Sequence, residues 1–374
     1  MRAIRKIVVG VLLTMVVVGA LVVAATAWST RYAPEELGTL CLSWFAFPYA
    51  WLLVLVLMVL MMMTRHWGVV MVCAVALGYS LPEALRVIDI PRGEEEMPAG
   101  CEGSAVRLLS YNVCNFLNTS NDFPEHRVDS LCAEILRSGA DIVCIQEAPP
   151  EWMLKYQQVA TPYKAVVGAY RHYRLYGNVG TLTNLEAEDI LDPKVLGVDG
   201  NLPTAFLATD VTLRSGQKVR LFNCHLASIR LSREQIDAVS STERVDRERV
   251  SSWKTTYEHI MRAFGLRSVE VRELAKAVSA SPYPVVICGD FNDTPVSYTF
   301  RTLGEVRPRG DSLESMSEAR HSRRLGLART YRGNLPPLRI DYIIKSGSVE
   351  TWGYEEYDWA WSDHKGVGCW LGVE

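Results

Sequence analysis

The sequence has no surplus of basic charge. Lys and Arg total 39 against 42 Asp and Glu, a net of −3. The first 90 residues hold six basic and four acidic residues, so the remainder carries 33 and 38, a net of −5. Non-specific nucleases need a basic footprint for the phosphate backbone. Its absence in bulk weighs against that class, although local basic patches can survive within an acidic total. The nine cysteines include no C-x-x-C pair, which removes the common zinc frameworks, and their odd number gives no closed disulfide set. Cys114, Cys144, Cys224 and Cys288 lie in or beside apolar strand-like runs, where cysteine acts as a small filler. Charge is also missing from two long stretches, residues 7–27 and 40–63, and from a shorter third, residues 67–81.

The first two runs are long enough to cross a bilayer. A cleaved signal peptide would explain the first but not the later two. The third, at fifteen residues, is short for a span and is either a crossing or an interfacial segment. Arg2, Arg5 and Lys6 before the first run favour a cytoplasmic amino terminus, and Arg65 between the second and third runs falls on the same side. Three crossings then put everything after about Arg86 outside the cytoplasm; if the third run does not cross, the catalytic part is cytoplasmic instead. The expected organisation is a multi-pass transmembrane region over residues 1–90, an exposed linker rich in Pro, Gly and Glu over 91–104, and one large domain over 105–374.

Within that domain, apolar runs repeatedly end in polar groups. The run Val286-Ile287-Cys288-Gly289-Asp290-Phe291-Asn292-Asp293 ends in two carboxylates and an amide. Side chains two apart on an extended segment share a side, so Asp290 and Asn292 are expected to converge while Phe291 turns into the core. Residues 106–113 end at Asn112, residues 142–147 deliver Glu147, and residues 219–226 deliver Asn223 and His225. Near the end stand Arg339-Ile340-Asp341-Tyr342 and Trp361-Ser362-Asp363-His364. Residues 126–138 show helical spacing through Val128, Leu131, Ile135 and Leu136, and residues 209–220 read as a hairpin about Ser215-Gly216. Residues 229–280 form a long polar helical segment with Arg230, Arg233, Arg244, Arg247, Arg249 and Lys254, either a pair of solvated helices or a cap that leans over the site and selects substrate or faces the membrane. His126, His172, His259 and His321 stand outside any motif and are expected at the surface.

This ordered set resembles the endonuclease/exonuclease/phosphatase superfamily, in a membrane-anchored bacterial form. That group includes pancreatic deoxyribonuclease, abasic-site endonucleases, neutral sphingomyelinases and inositol polyphosphate 5-phosphatases. The resemblance runs from about residue 105 to 371 and implies an α/β fold, a two-sheet deoxyribonuclease I-like sandwich with helices outside. It also implies divalent-metal-dependent hydrolysis of a phosphoester. Phosphoester hydrolysis needs a cation to neutralise phosphoryl charge, a group to activate water and help for the leaving oxygen. Glu147 is the metal-ligand candidate, since a hard carboxylate suits Mg²⁺, with Mn²⁺ as the alternative; Asn112 and Asp363 share the ion or orient its waters. In the resembled family the histidine at the position of His364 contacts the scissile phosphate and is oriented by the aspartate that is Asp341 here. Asp290 corresponds to the group that positions or deprotonates water, with Asn292 beside it; whether Asp290 or His364 is the base stays open. His225 resembles the histidine that polarises the phosphate or protonates the leaving oxygen in the deoxyribonuclease and sphingomyelinase branches. Asn178, in Tyr176-Gly177-Asn178, resembles a site segment that binds substrate, but continues as Thr181-Leu182-Thr183 where relatives carry Ser-Lys or Ser-Arg. The substrates compatible with these residues are a lipid headgroup, a small phosphoester or nucleic acid, and nothing in the sequence points to a protein partner. A binding scaffold that kept the fold without turnover is the competing class. A decayed site should have lost one of Glu147, Asp290, Asp341 or His364, and none is lost.

Overall fold

The computed structural model describes residues 2–93, 95–116, 125–190, 205–229, 247–311, 315–322, 325–332 and 338–373. Arg230, Arg233 and Arg244, and the side chain of His126, lie outside the described residues. The helices in chain order are α1 (Arg2–Ser29), α2 (Pro34–Leu37), α3 (Ser43–Met63), α4 (Trp67–Tyr79), α5 (Leu81–Val87), α6 (Glu125–Arg137), α7 (Gln157–Gly168), α8 (Arg247–Ser279) and α9 (Tyr298–Glu305). The strands are β1 (Ile88–Asp89), β2 (Val106–Asn112), β3 (Ile142–Gln146), β4 (His172–Tyr176), β5 (Val179–Thr183), β6 (Glu186–Asp189), β7 (Ala205–Thr212), β8 (Lys218–His225), β9 (Val285–Asp290), β10 (Ser317–Glu318), β11 (Gly326–Leu327), β12 (Asp341–Lys345), β13 (Val349–Tyr357) and β14 (Gly366–Val373).

Two six-stranded mixed sheets stack face to face, in the orders β10-β12-β9-β8-β7-β6 and β13-β14-β2-β3-β5-β4. The strands read as nearly continuous apolar runs because both faces of each sheet are covered. Val106, Leu108, Ile142, Cys144, Val286 and Cys288 fill the space between the sheets. The alternate residues Leu109, Tyr111, Val143 and Ile145 face α6 and α7. Phe222, Cys224, Val285 and Ile287 face α8 and α9. This is the deoxyribonuclease I-like sandwich. Helix α6 buries Val128, Leu131 and Ile135, but Leu136 points outward at 40% exposure.

The long polar segment before β9 is described from residue 247 onward. Its described part is a single 33-residue helix, α8, whose Phe264, Val271, Leu274 and Val278 are buried. The cause is topological. β8 and β9 pair in parallel, and a parallel pair needs a crossover, usually a helix. The histidines divide. His259 is exposed, and His172 is half-buried beside Asp189 at 3.1 Å. His321 is not at the surface: its side chain is 8% exposed and Nδ1 stands 3.0 Å from Glu95 Oε1.

The three apolar helices α1, α3 and α4 pack on one another and leave large apolar side chains facing outward, among them Val11, Leu21, Leu53, Val56, Met71 and Val75. Among the described residues, two helices are long and apolar enough to span a membrane, or three if α4 and α5, bent by 62° at their junction, count as one. The Trp44 indole donates to Ser29 Oγ at 2.9 Å and the Trp51 indole to Ser80 Oγ at 3.1 Å. These bonds bring the end of α1, the start of α3 and the end of α4 together. Residues 62–67 therefore sit at the opposite end, with the start of α1. The near end rests on the sandwich: Arg320 donates to the carbonyls of Leu85, Arg86 and Ile88. The segment after the bundle is only partly exposed, since Cys101 and Ser104 are buried and Ser104 Oγ donates to the Val373 carbonyl at 2.9 Å.

Candidate active site

Strand register builds the site. On three adjacent strands, His225 of β8 lies opposite Asp290 of β9, and Asp290 opposite Asp341 of β12. Gly289 makes this possible: it has φ +137, and a Cβ there would lie 2.0 Å from the Cys224 carbonyl oxygen. Any other residue would push β9 off β8 and move Asp290. Asn112 reaches in from the other sheet, where its Nδ2 donates to Asp290 Oδ2 at 2.9 Å and to Glu147 Oε1 at 3.3 Å. A second bond locks the two sheets at this level: Gln146 Nε2 donates to Asn223 Oδ1 at 2.7 Å, with both side chains fully buried. Asn223 is thus a brace between the sheets, on the same face of β8 as His225 and one pleat before the site.

Asp341 holds His364 with both oxygens, 3.1 and 3.0 Å from Nδ1. That leaves His364 Nε2 3.7 Å from Asp290 Oδ2. Burial alone would lower the His364 proton affinity, but the carboxylates of Asp341 and Asp290 outweigh it and lift the group to about 10. Asp290, 1% exposed, is pushed up to about 6 by burial; His364 opposes the rise, and the like charge of Asp341 adds to it. His225 sits between the two centres, Nε2 3.7 Å from Glu147 Oε1 and 3.8 Å from Asp290 Oδ2. The Asn178 amide lies 2.6 Å from His225 Nδ1, so Asn178 reaches the site as the partner of His225.

Asn292 departs from the period-two expectation. The strand ends at Asp290, and Asn292 turns left-handed at φ +51. Its N–H donates to Asp290 Oδ1 at 2.8 Å and its Nδ2 to the Leu226 carbonyl at 3.0 Å. It orients the carboxylate from behind. Phe291 is fully buried, as its place between the two polar residues requires.

Glu147 adopts φ +49, a conformation that few non-glycine residues hold without local support. That support includes Asn115, whose Nδ2 donates to Glu147 Oε2 at 2.9 Å from its own left-handed turn. The Glu147 side chain is 25% exposed, against 1% for Asp290 and 2% for Asp341. Asp363 lies on the same side: burial pushes the Cys114 thiol well up, and the charges of Asp363 and Glu147 add to it.

Among the described residues, Asp290, Asp341 and His364 have ligand atoms within 4.8 Å of one another and form a geometrically possible metal cluster. Its donors are largely spent on each other, because His364 Nδ1 faces Asp341 and Nε2 faces Asp290. Glu147, Asn112 and Asp363 also offer oxygen atoms of the kind a hard divalent cation takes, with Asn112 Oδ1 accepting from the Cys114 N–H at 2.9 Å.

Two site residues carried no signal in the sequence. Asn115 stands outside every motif. Tyr331 packs edge-on against His364, centroids 5.2 Å apart. It is pushed up to about 12 by burial and then by the charge of Asp363, so its phenol stays protonated.

The profile of the Endonuclease/Exonuclease/phosphatase family matches residues 109–364. No curated protein matches the chain. Among solved structures, an endonuclease/exonuclease/phosphatase from Bacteroides vulgatus is similar at 17% identity over 72% of this chain and 100% of that one, TM-score 0.45. A humanized D. rerio TDP2 is similar at 19% identity over 72% and 99%, TM-score 0.46. The human Nocturnin catalytic domain with bound sulfate is similar at 15% identity over 72% and 95%, TM-score 0.43. The family profile begins inside β2, spans both sheets and ends at His364, and the chain belongs to the endonuclease/exonuclease/phosphatase family.

Proposed function

We propose that this chain is a membrane-anchored, divalent-metal-dependent phosphoester hydrolase. The observation that carries this is the buried Asp290 carboxylate, flanked by two histidines and tied through the Asn112 amide to Glu147. Glu147, with Asn112 and Asp363, would hold Mg²⁺ or Mn²⁺. A cation there supplies neutralisation of phosphoryl charge. Asp290 holds its proton more tightly than an ordinary carboxyl, which suits a base for water near neutral pH. His364, kept charged by Asp341, donates from Nε2 to a phosphoryl oxygen. His225, oriented at Nδ1 by Asn178, serves the leaving oxygen through Nε2.

The favoured substrate is a phosphoester at a membrane surface, with a lipid headgroup preferred over nucleic acid. Two features support this: the acidic total of the domain, and the seating of Thr294, Pro295 and Val296, just past Asp290, against Trp44, Phe45 and Pro48 at the near end of the bundle. Arg2, Arg5, Lys6 and Arg65 at the far end favour a multi-pass protein with an extracytoplasmic site. The test is turnover of lipid phosphodiesters, phosphomonoesters, inositol phosphates and DNA by the full chain with Mg²⁺. Hydrolysis of none of them refutes the proposal, and hydrolysis of DNA alone replaces its substrate.

A further inference from the structure

The crossover helix α8 carries a buried guanidinium that the chemistry above does not use. Arg267 is 0% exposed. Its Nη1 donates to the Ala227 carbonyl at 2.8 Å, and its Nε stands 3.5 Å from Asp293 Oδ2. One turn on, Glu270 accepts from the Ala227 N–H at 2.8 Å. Helix α8 therefore grips both backbone groups of Ala227, two residues past His225, and the side chain of Asp293, three residues past Asp290. Asp293 in turn accepts from Thr299 Oγ1 at 2.8 Å and from the Thr294 N–H at 3.0 Å. The Leu226 N–H donates to the Asp290 carbonyl, and the Asn292 amide returns to the Leu226 carbonyl, each at 3.0 Å.

The same turns of α8 bind the membrane bundle. The Phe264 ring lies under the Arg267 guanidinium at 4.7 Å and meets Trp44 edge-on at 5.4 Å. Ser268 Oγ donates to Glu35 Oε1 at 2.6 Å, and Arg272 reaches the same oxygen at 3.1 Å. A buried cation with one hydrogen bond and one loose ion pair is a poor stabiliser, since apolar residues of similar volume often do as well. Its geometry explains it better: among the described residues Arg267 is a side chain of α8 that reaches both exits, Ala227 after β8 and Asp293 after β9, from a helix braced on the bundle.

We propose that Arg267 is a positioning residue for the active site, fixing the strand exits that set His225 against Asp290 and tying them to the membrane bundle. The proposal rests on the hydrolase reading above. In the full chain, in lipid or detergent, Arg267→Met/Asp293→Asn removes both charges together and leaves neither buried alone. This double variant should melt near the parent and keep its KM. Its kcat should fall about 10²-fold, as for a misplacement of roughly 1 Å. Amide exchange at Leu226, Ala227 and Asn292 should quicken. Arg267→Lys, which keeps the charge but not the reach to Ala227, should recover part of kcat. A double variant with parental kcat and parental exchange overturns the proposal, as does loss of kcat that only follows loss of melting temperature. If the parent hydrolyses no phosphoester, the hydrolase reading fails, and the exchange rates still decide whether Arg267 holds the strand exits.

Discussion

Replacing Asp341 by Asn tests the electrostatic design of the site with little change of shape. Asp341 faces His364 Nδ1 at 3.0 Å. Opposite charges at that distance attract by roughly 5 kcal/mol at an effective dielectric of about 20. Removing the Asp341 charge should therefore weaken proton binding at His364 on the order of 10³- to 10⁴-fold. Burial then prevails, and His364, lifted to about 10 in the parent, should titrate near or below its ordinary 6.5. The charged donor is lost at neutral pH, and the rate should drop about 10²- to 10⁴-fold. The assays are a pH–rate profile and imidazole NMR of the metal-free protein. A variant with the parental rate, or a His364 resonance that still titrates above pH 9, would refute the reasoning.

Asp290→Ala and His364→Ala should each cut turnover by about 10²-fold or more while the fold persists, since Asp290 ends β9 and His364 stands before β14; near-parental activity in either would remove it from the mechanism. Glu147→Gln should raise the Mg²⁺ midpoint more than KM, and an unchanged midpoint would show that Glu147 does not hold the cation. In metal-free protein, the raised His364 contributes stability that is whole below pH 6.5 and lost as pH climbs toward about 10. Melting temperature should fall across that window, and His364→Ala should flatten the fall. A reporter fused after Glu374 should behave as extracytoplasmic: alkaline phosphatase active, a cytoplasmic fluorescent reporter dark. The opposite result would put the site on the cytoplasmic face.

Much of this site was legible because strands buried on both faces leave a plain record. Val285 to Cys288 can be apolar throughout only inside a covered sheet, and the polar residues that follow must then fall at its edge. His225 and Asp290 were readable for that reason, whereas Asp341 opens β12 and was legible through the resemblance alone. Asn292 was not, because a left-handed turn breaks the period of two at that residue. Asn115 and Tyr331 come from turns and a short bridge, where spacing carries no pattern. Helix α8 looked polar because its buried stripe includes Arg267 and Ser268, which satisfy backbone and bundle partners and carry no apolar signal. The docking of the bundle was hidden altogether, since it depends on single contacts such as that of Glu35 with Ser268, 233 residues apart.

The most direct test of the account is phosphoester hydrolysis by the full-length protein in lipid or detergent, with Mg²⁺ or Mn²⁺, with chelator, and with Asp290→Ala as the control. The account predicts turnover that needs the cation, stops with chelator, returns when metal is restored, and is lost in the variant. Full activity in excess chelator, or activity retained by Asp290→Ala, would contradict it.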